Sequence, residues 1–319
     1  MGKNQSVLSV DLGGFKPLPS GSAIKVMCDK AQLDGVTDVH SALSALAHNK
    51  YEILVCNAPI KQVFTLAKSS NPAIKIVLVT ELPMPEYSGA LDNIEETLLD
   101  HIVSNRSEEA LTIHELRVTI QKMLTGDIFG IEKYLRNQTQ VFRFPITGSP
   151  DRDPLNKHVA KFVEDLALGQ NLSKTAYGIS EELLMNAIYD APMASRKEPY
   201  ASTSRNSSMI LKPEDYAELS FGCDGRILAI GVADPFGLLH PDTFARYLKK
   251  VLRRQDSHQL IDNKEGGAGL GFFKILFGSH SLIANVQSRK RTEIISLIDV
   301  TEQLRDFSKM ARSIHFFSA

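Results

Sequence analysis

The chain has 319 residues, 43% of them hydrophobic and 23% charged, with a formal net charge of −1. That length allows two domains, each with its own core, while the near-neutral balance excludes a protein built to neutralise nucleic-acid phosphates. Cys28, Cys56 and Cys223 are far apart and lack metal-ligand spacing, and no apolar run reaches the length of a membrane span, so a cytoplasmic protein of a reducing compartment is expected, with neither membrane nor nucleic acid as partner.

Residues 23–124 alternate strand-like and helix-like runs. "AIKVMC" (23–28), "YEILVC" (51–56) and "IKIVLVT" (74–80) are short, apolar and rich in β-branched residues, as buried parallel strands are. "DVHSALSALAHNK" and "IKQVFTLAKSS" between them read as helices, and residues 89–103 and 111–124 as two more. This βαβα order predicts a small doubly wound parallel sheet in residues 1–124. "TGDIFGIEKYLRNQTQ" (125–140) reads as a linker.

"VFRFPIT" then opens a new strand, and "PDRDP" precedes a helix at about 154–168. The next helix, at about 174–190, carries "EELLMNAIYDAP" (181–192). Glu182, Asn186 and Asp190 advance by about 40° per step on an α-helix and form one polar row. Ile179, Leu183, Leu184, Ala187 and Ile188 fan out beside it as the core-facing stripe. A serine-rich segment leads to a hairpin, in which "AELSFGC" and "RILAIGVAD" flank Asp224 and Gly225. A helix at 241–254, a glycine cluster, a further helix and the strands "SLIANVQS" and "TEIISLIDV" complete an α+β sandwich over 141–300. In the tail, 301–319, "SIHFF" is suited to an edge strand in its own or a partner's sheet; simple packing against the 141–300 domain is the preferred reading.

Three features of the second half recur in order. The Glu182/Asn186 helix comes first. A strand ending at Asp234 in "DPFG" follows, and then "EGGAGLGFFKILFG", where Gly266, Gly267, Gly269 and Gly271 precede an apolar helix. Such glycines expose backbone N–H groups at a helix N-terminus, where an anionic phosphate is stabilised. Together the three resemble the N, G1 and G2 boxes of the GHKL (Bergerat-fold) ATPases and kinases, over roughly residues 141–299. The bacterial anti-sigma-factor serine kinases are the most similar subgroup.

The resemblance implies a Bergerat-fold α/β sandwich that binds ATP and Mg²⁺. Asn186 would be the Mg²⁺ ligand through its amide oxygen. Glu182 would orient or deprotonate the attacking hydroxyl or water. Asp234 would accept a hydrogen bond from the adenine amino group, with Gly237 and Thr292 beside the base. Asp190, Gly267, Gly269, Leu270 and Gly271 complete the nucleotide-binding set. Residues 238–265 would form a lid carrying Lys249, Lys250, Arg253 and Arg254. Two departures bear on turnover rather than on fold: Phe236 stands where the family has glycine, and Asp190 where its serine kinases have histidine.

"HELRVTIQ" (114–121) resembles the H box of histidine kinases, with His114 as phosphoacceptor. The stretch from His114 to the next domain is too short for the family's second helix, and its usual proline is missing. The first half resembles a response-regulator receiver, a flavodoxin-like fold, with an unrelated flavodoxin-like module as the alternative. Asn57 stands at the end of the central strand, where receivers have the phosphoaccepting aspartate. Thr80 fits the switch hydroxyl, Asp29 is a lone acid, and the lysine expected after "HIVSN" is missing. The reading that follows is a bacterial signalling regulator: a degenerate receiver joined to a GHKL domain that phosphorylates a serine or threonine of a partner protein, or sequesters it. A non-catalytic interaction module is the competing reading, and a homodimer is left open.

Overall fold

A computed structural model describes residues 6–28, 31–83, 86, 100–204, 207–255, 268–302 and 310–319. By its contacts the chain divides into two units, Met1–Ile128 with Arg305–His315, and Phe129–Leu304 with Phe316–Ala319. The protein is a mixed α/β chain, parallel in its N-terminal strands and antiparallel in the second unit.

In the first unit, β1 (Ser6–Val10), β2 (Gln32–Val36), β3 (Ile53–Cys56), β4 (Lys75–Thr80) and β5 (His101–Ser104) pair in parallel in the order β2-β1-β3-β4-β5. This is an order used by doubly wound sheets. Helices α1 (Gly21–Cys28), α2 (Val39–His48), α3 (Lys61–Ser70) and α4 (Glu109–Thr125) connect and follow the strands. β3 and β4 are buried almost throughout, which explains why their runs are apolar without alternation. Val7, Ile53, Val55, Val77, Val79 and Val103 meet Ile24, Met27, Leu116 and Ile120 in one core.

Two expectations fail here. "AIKVMC" is not a strand but most of α1: Ile24, Met27 and Cys28 are buried at helical spacing, while Val26 between them is 72% exposed. The first strand is instead "SVLSV". Residues 101–103 belong to β5 rather than to a helix; the rest of that expected helix, 89–99, lies outside the described residues. A sixth strand, β11 (Ser313–Ser318), runs antiparallel to β5, with Ile314 opposite Ile102 and His315 opposite His101. "SIHFF" thus begins by adding a strand beside β5 within its own chain, through Ile314 and His315, while Phe316–Ala319 group with the second unit. His114 sits on α4, which ends at Gly126 in a left-handed conformation. A 3₁₀ turn at Ile131–Tyr134 follows, not a second long helix.

The second unit has an antiparallel sheet in the order β9-β10-β8-β7-β6. Its strands are β6 (Val141–Ile146), β7 (Ala217–Cys223), β8 (Ile227–Asp234), β9 (Ser281–Gln287) and β10 (Arg291–Asp299). The β7–β8 turn is held by Asp224, whose Oδ1 accepts from the N–H groups of Arg226 and Ile227 at 2.8 and 2.7 Å. Helices α5 (Arg152–Asp165) and α6 (Gln170–Met185) pack together. Ile179, Leu183, Leu184, Ala187 and Ile188 are all buried, as the periodicity predicts. After α6 the helix widens into a π turn, Asn186–Asp190, and continues as α7 (Ala191–Ala194). Pro192 accounts for the change: it has no N–H for the carbonyl of Ile188, and the turn before it re-registers. Helices α8 (Pro241–Gln255) and α9 (Ala268–Phe277) complete the unit, and α9 packs against α6. No helix among the described residues is long and apolar enough to cross a membrane.

Candidate functional site

The two adjacent acids of "EELLMN" face different helices. Glu181 turns towards α5, where it pairs with Arg152 at 3.1 Å and accepts from the Asn156 amide. Glu182, about 100° further round the helix, turns towards α9. A Cβ on Gly271 would lie 2.4 Å from its Oε2, and Lys274 Nζ is 2.6 Å from its Oε1. The last glycine of the cluster thus lets α9 close onto the Glu182 carboxylate, and Lys274, one turn later on α9, neutralises it. Nothing in the sequence reading singled out Lys274. The signal available was its place three residues after Gly271, on the same helix face.

Asn186 opens the π turn and is half-buried. Its side chain makes no hydrogen bond among the described residues, so its amide oxygen is available to a hard cation. The π turn takes more residues per revolution than an α-helix, so Asp190 is rotated back relative to Asn186 instead of a further 40° on. Glu182, Asn186 and Asp190 consequently remain on one side of the helix over two turns.

At the end of β8, Asp234 caps its own turn. Its Oδ1 accepts from Phe236 N–H at 2.9 Å, and Gly237 N–H also donates to the carboxylate. Burial pushes its pKa up to about 6, against those two hydrogen bonds. Thr292 on β10 is its cross-strand partner in register and is buried. Gly237 has φ +62°, and a Cβ there would meet Gln287 O at 2.2 Å and Lys290 N at 2.5 Å. This glycine is thus required by the close approach of the β9–β10 turn, whose Arg289 N–H donates to Gly237 O at 3.0 Å. The Phe236 ring is buried, with Lys197 Nζ 5.3 Å from its centroid. Lys197 is held there by Asp215 at 3.2 Å, which also accepts from Tyr200 Oη at 2.9 Å.

Of the glycine cluster, Gly266 and Gly267 lie outside the described residues. Gly269, Leu270 and Gly271 are in the first turn of α9. Phe272 of α9 meets Phe244 edge-on and Tyr247 at a tilt, so α8 is laid across α9. Lys249, Lys250, Arg253 and Arg254 follow on α8.

In the first unit, Asn57 directly follows β3 and is buried. Its Oδ1 accepts from Leu12 N–H at 2.8 Å, and its Nδ2 donates to Asp11 Oδ1 at 2.8 Å and to Leu12 O at 3.0 Å. The acid that shares this end of the sheet is therefore Asp11, after β1; Asp29 lies outside the described residues. Asp11 was missed because its strand was. Thr80 ends β4, buried, and accepts from Leu82 N–H. Where a lysine was expected after β5, Asn105 donates to Pro17 O, and Lys16 reaches in from the β1–α1 loop to the carbonyls of Asn105 and Arg106.

No protein-family model matches the chain, and no curated protein sequence matches it. Among solved structures the chain is similar to one from the SiaB–SiaC complex of Pseudomonas aeruginosa, with 14% identity and a TM-score of 0.33, over 52% of this chain and 94% of that one.

Proposed function

We propose that the second unit binds Mg-ATP and passes the γ-phosphoryl group to a serine or threonine hydroxyl of a partner protein. The observation that carries this reading is the meeting of Glu182 on α6 with Gly271 on the glycine-led helix α9. It sets one carboxylate beside the helix start that suits an anionic phosphate. In the transfer, the hydroxyl oxygen attacks the γ-phosphorus, the bond to the ADP oxygen breaks, and Glu182 takes the hydroxyl proton. Asn186 would hold Mg²⁺ through its amide oxygen, and the ion would supply positive charge to the phosphates. Asp234 and Thr292, side by side on β8 and β10, contact the base together. The first unit is read as a receiver-like module for dimerisation or partner docking. Its Asn57 cannot accept a phosphoryl group, and the hydrogen bonds of that amide go to its own β1–α1 loop.

Titration of wild type and Asp234→Ala with ATP, with and without Mg²⁺, tests the reading. Mg²⁺-dependent binding that the substitution abolishes is expected, and no binding to wild type at millimolar ATP overturns it. A second reading, a nucleotide-gated binding module without turnover, is favoured by the Lys274 ammonium against Glu182 and by the buried Phe236 ring. Glu182→Ala separates the two. Loss of ATP turnover with ATP binding kept indicates catalysis; a wild type that binds ATP and turns none over indicates the module.

A further inference from the structure

Glu182 is the carboxylate that the proposed chemistry needs as a base, yet its Oε1 is 2.6 Å from the Lys274 ammonium. An ammonium at that distance occupies the carboxylate oxygen that would have to receive the hydroxyl proton. Stability does not account for the contact, because the Lys274 side chain is 58% exposed and a pair open to solvent on one side adds little. Geometry offers another reason. Lys274 lies one turn beyond Gly271, so its charge sits on the same face of α9 as the glycine that admits the carboxylate. Glu182 itself is only 17% exposed, so the longer and more exposed lysine is the partner with more room to swing.

We infer that the Glu182–Lys274 pair is a latch opened by the terminal phosphate of a nucleoside triphosphate. This rests on the proposed binding of ATP and adds to it a residue that senses the third phosphate. A triphosphate arriving at the start of α9 offers Lys274 a doubly charged acceptor in place of a single carboxylate. The ammonium moves to the γ-phosphate oxygens, and the Glu182 carboxylate is left open to the attacking hydroxyl. A diphosphate offers no such oxygens at that point and leaves the latch shut. Lys274 is in this scheme a positioning residue for Glu182 and a ligand for the triphosphate.

The test is equilibrium binding of ATP and of ADP, each with Mg²⁺, to wild type, Lys274→Met and Glu182→Gln, with thermal melting of each. Wild type is expected to prefer ATP. Lys274→Met reduces the ratio of ATP to ADP affinity about tenfold, the size of one charge-assisted contact. Glu182→Gln, which frees the lysine, raises ATP affinity and leaves ADP affinity unchanged. A purely structural pair would lower the melting temperature and leave the ratio alone, and that result overturns the latch while the proposed function stands. ATP binding by none of the three proteins overturns both. Should Lys274→Met fail to fold, Glu182→Gln decides alone: unchanged ATP affinity sinks the inference.

Discussion

Asp234 and Thr292 stand directly opposite one another on β8 and β10, one half-buried carboxylate beside one buried hydroxyl on an antiparallel ladder. They are 58 positions apart by number, yet the register of a single strand pair brings them together. The carboxylate is the costlier member, because burial raises its pKa to about 6.

That shift sets a pH signature. The folded acid keeps its proton to a higher pH than the unfolded chain, whose value is 3.8. Its contribution to stability is therefore present below about pH 4 and lost as pH rises through about 6. Asp234→Asn keeps an oxygen for the Phe236 and Gly237 N–H groups and carries no charge. It is expected to stabilise the protein by about 1–2 kcal/mol at pH 8, and by much less at pH 4.5. Urea unfolding at the two pH values checks this. The same substitution should weaken ATP binding at pH 8, since in the proposed site the ionised carboxylate accepts from the adenine amino group.

The two glycines that bring backbone and side chain close together should behave differently. At Gly237 a methyl group would press on fixed backbone atoms of the β9–β10 turn, at a residue with φ +62°. Gly237→Ala is expected to cost about 2–4 kcal/mol. At Gly271 the nearest atom is the end of the Glu182 side chain, which can rotate away. Gly271→Ala should melt within a few degrees of wild type and yet break the Glu182–Lys274 pair. Melting curves of both variants, together with ATP/ADP discrimination by the second, read these effects out.

In the first unit, His101 and His315 are fully buried with ring centroids 5.5 Å apart. His315 Nε2 lies 3.2 Å from Glu115, and Glu115 also pairs with Arg106. Burial lowers the pKa of both histidines. His101 is lowered further by His315 and by Lys75, Lys122 and Lys68; for His315, Glu115 acts in the opposite direction. Both are therefore neutral when folded, and stability is lost as pH falls through about 6.5, where the unfolded histidines take up protons. The expected slope is at most about 1.4 kcal/mol per pH unit for each histidine. Ring proton resonances that stay in the neutral position where a free histidine titrates are the direct check. A histidine titrating near 6.5 would show that its ring is not shielded as described.

Much of this was legible in the chain. The second unit could be read closely because its strands alternate or run apolar between clear turn residues, and because Ile179, Leu183, Leu184 and Ile188 keep strict helical spacing. The first unit was read less well at its start. "AIKVMC" has the composition of a buried strand, and only the exposure of Val26 between Met27 and Ile24 reveals a helix. β2 was invisible for a related reason: "QLDGV" carries Asp34 and Gly35, poor strand formers, and lies at the sheet edge with no buried residue. At the candidate site, residue types pointed to Glu182, Asn186 and Asp234. Lys274 did not stand out, because a lysine on an apolar helix reads as solvated until its neighbour across the fold is known.

The strand β11 has a consequence in time. It covers the outer edge of β5 and sets His315 against Glu115, a residue translated 200 positions earlier. At about 5–20 residues per second, a ribosome needs on the order of 10–40 s to cover that distance. Throughout that interval the nascent first unit has β1 to β4 in place and one side of its last parallel strand without the cover it will later receive. An uncovered strand edge is a template for pairing with another chain. The first unit is therefore able to collapse before the second and is finished only after the second unit's strands have been made, and the intervening period is when a chaperone would matter most.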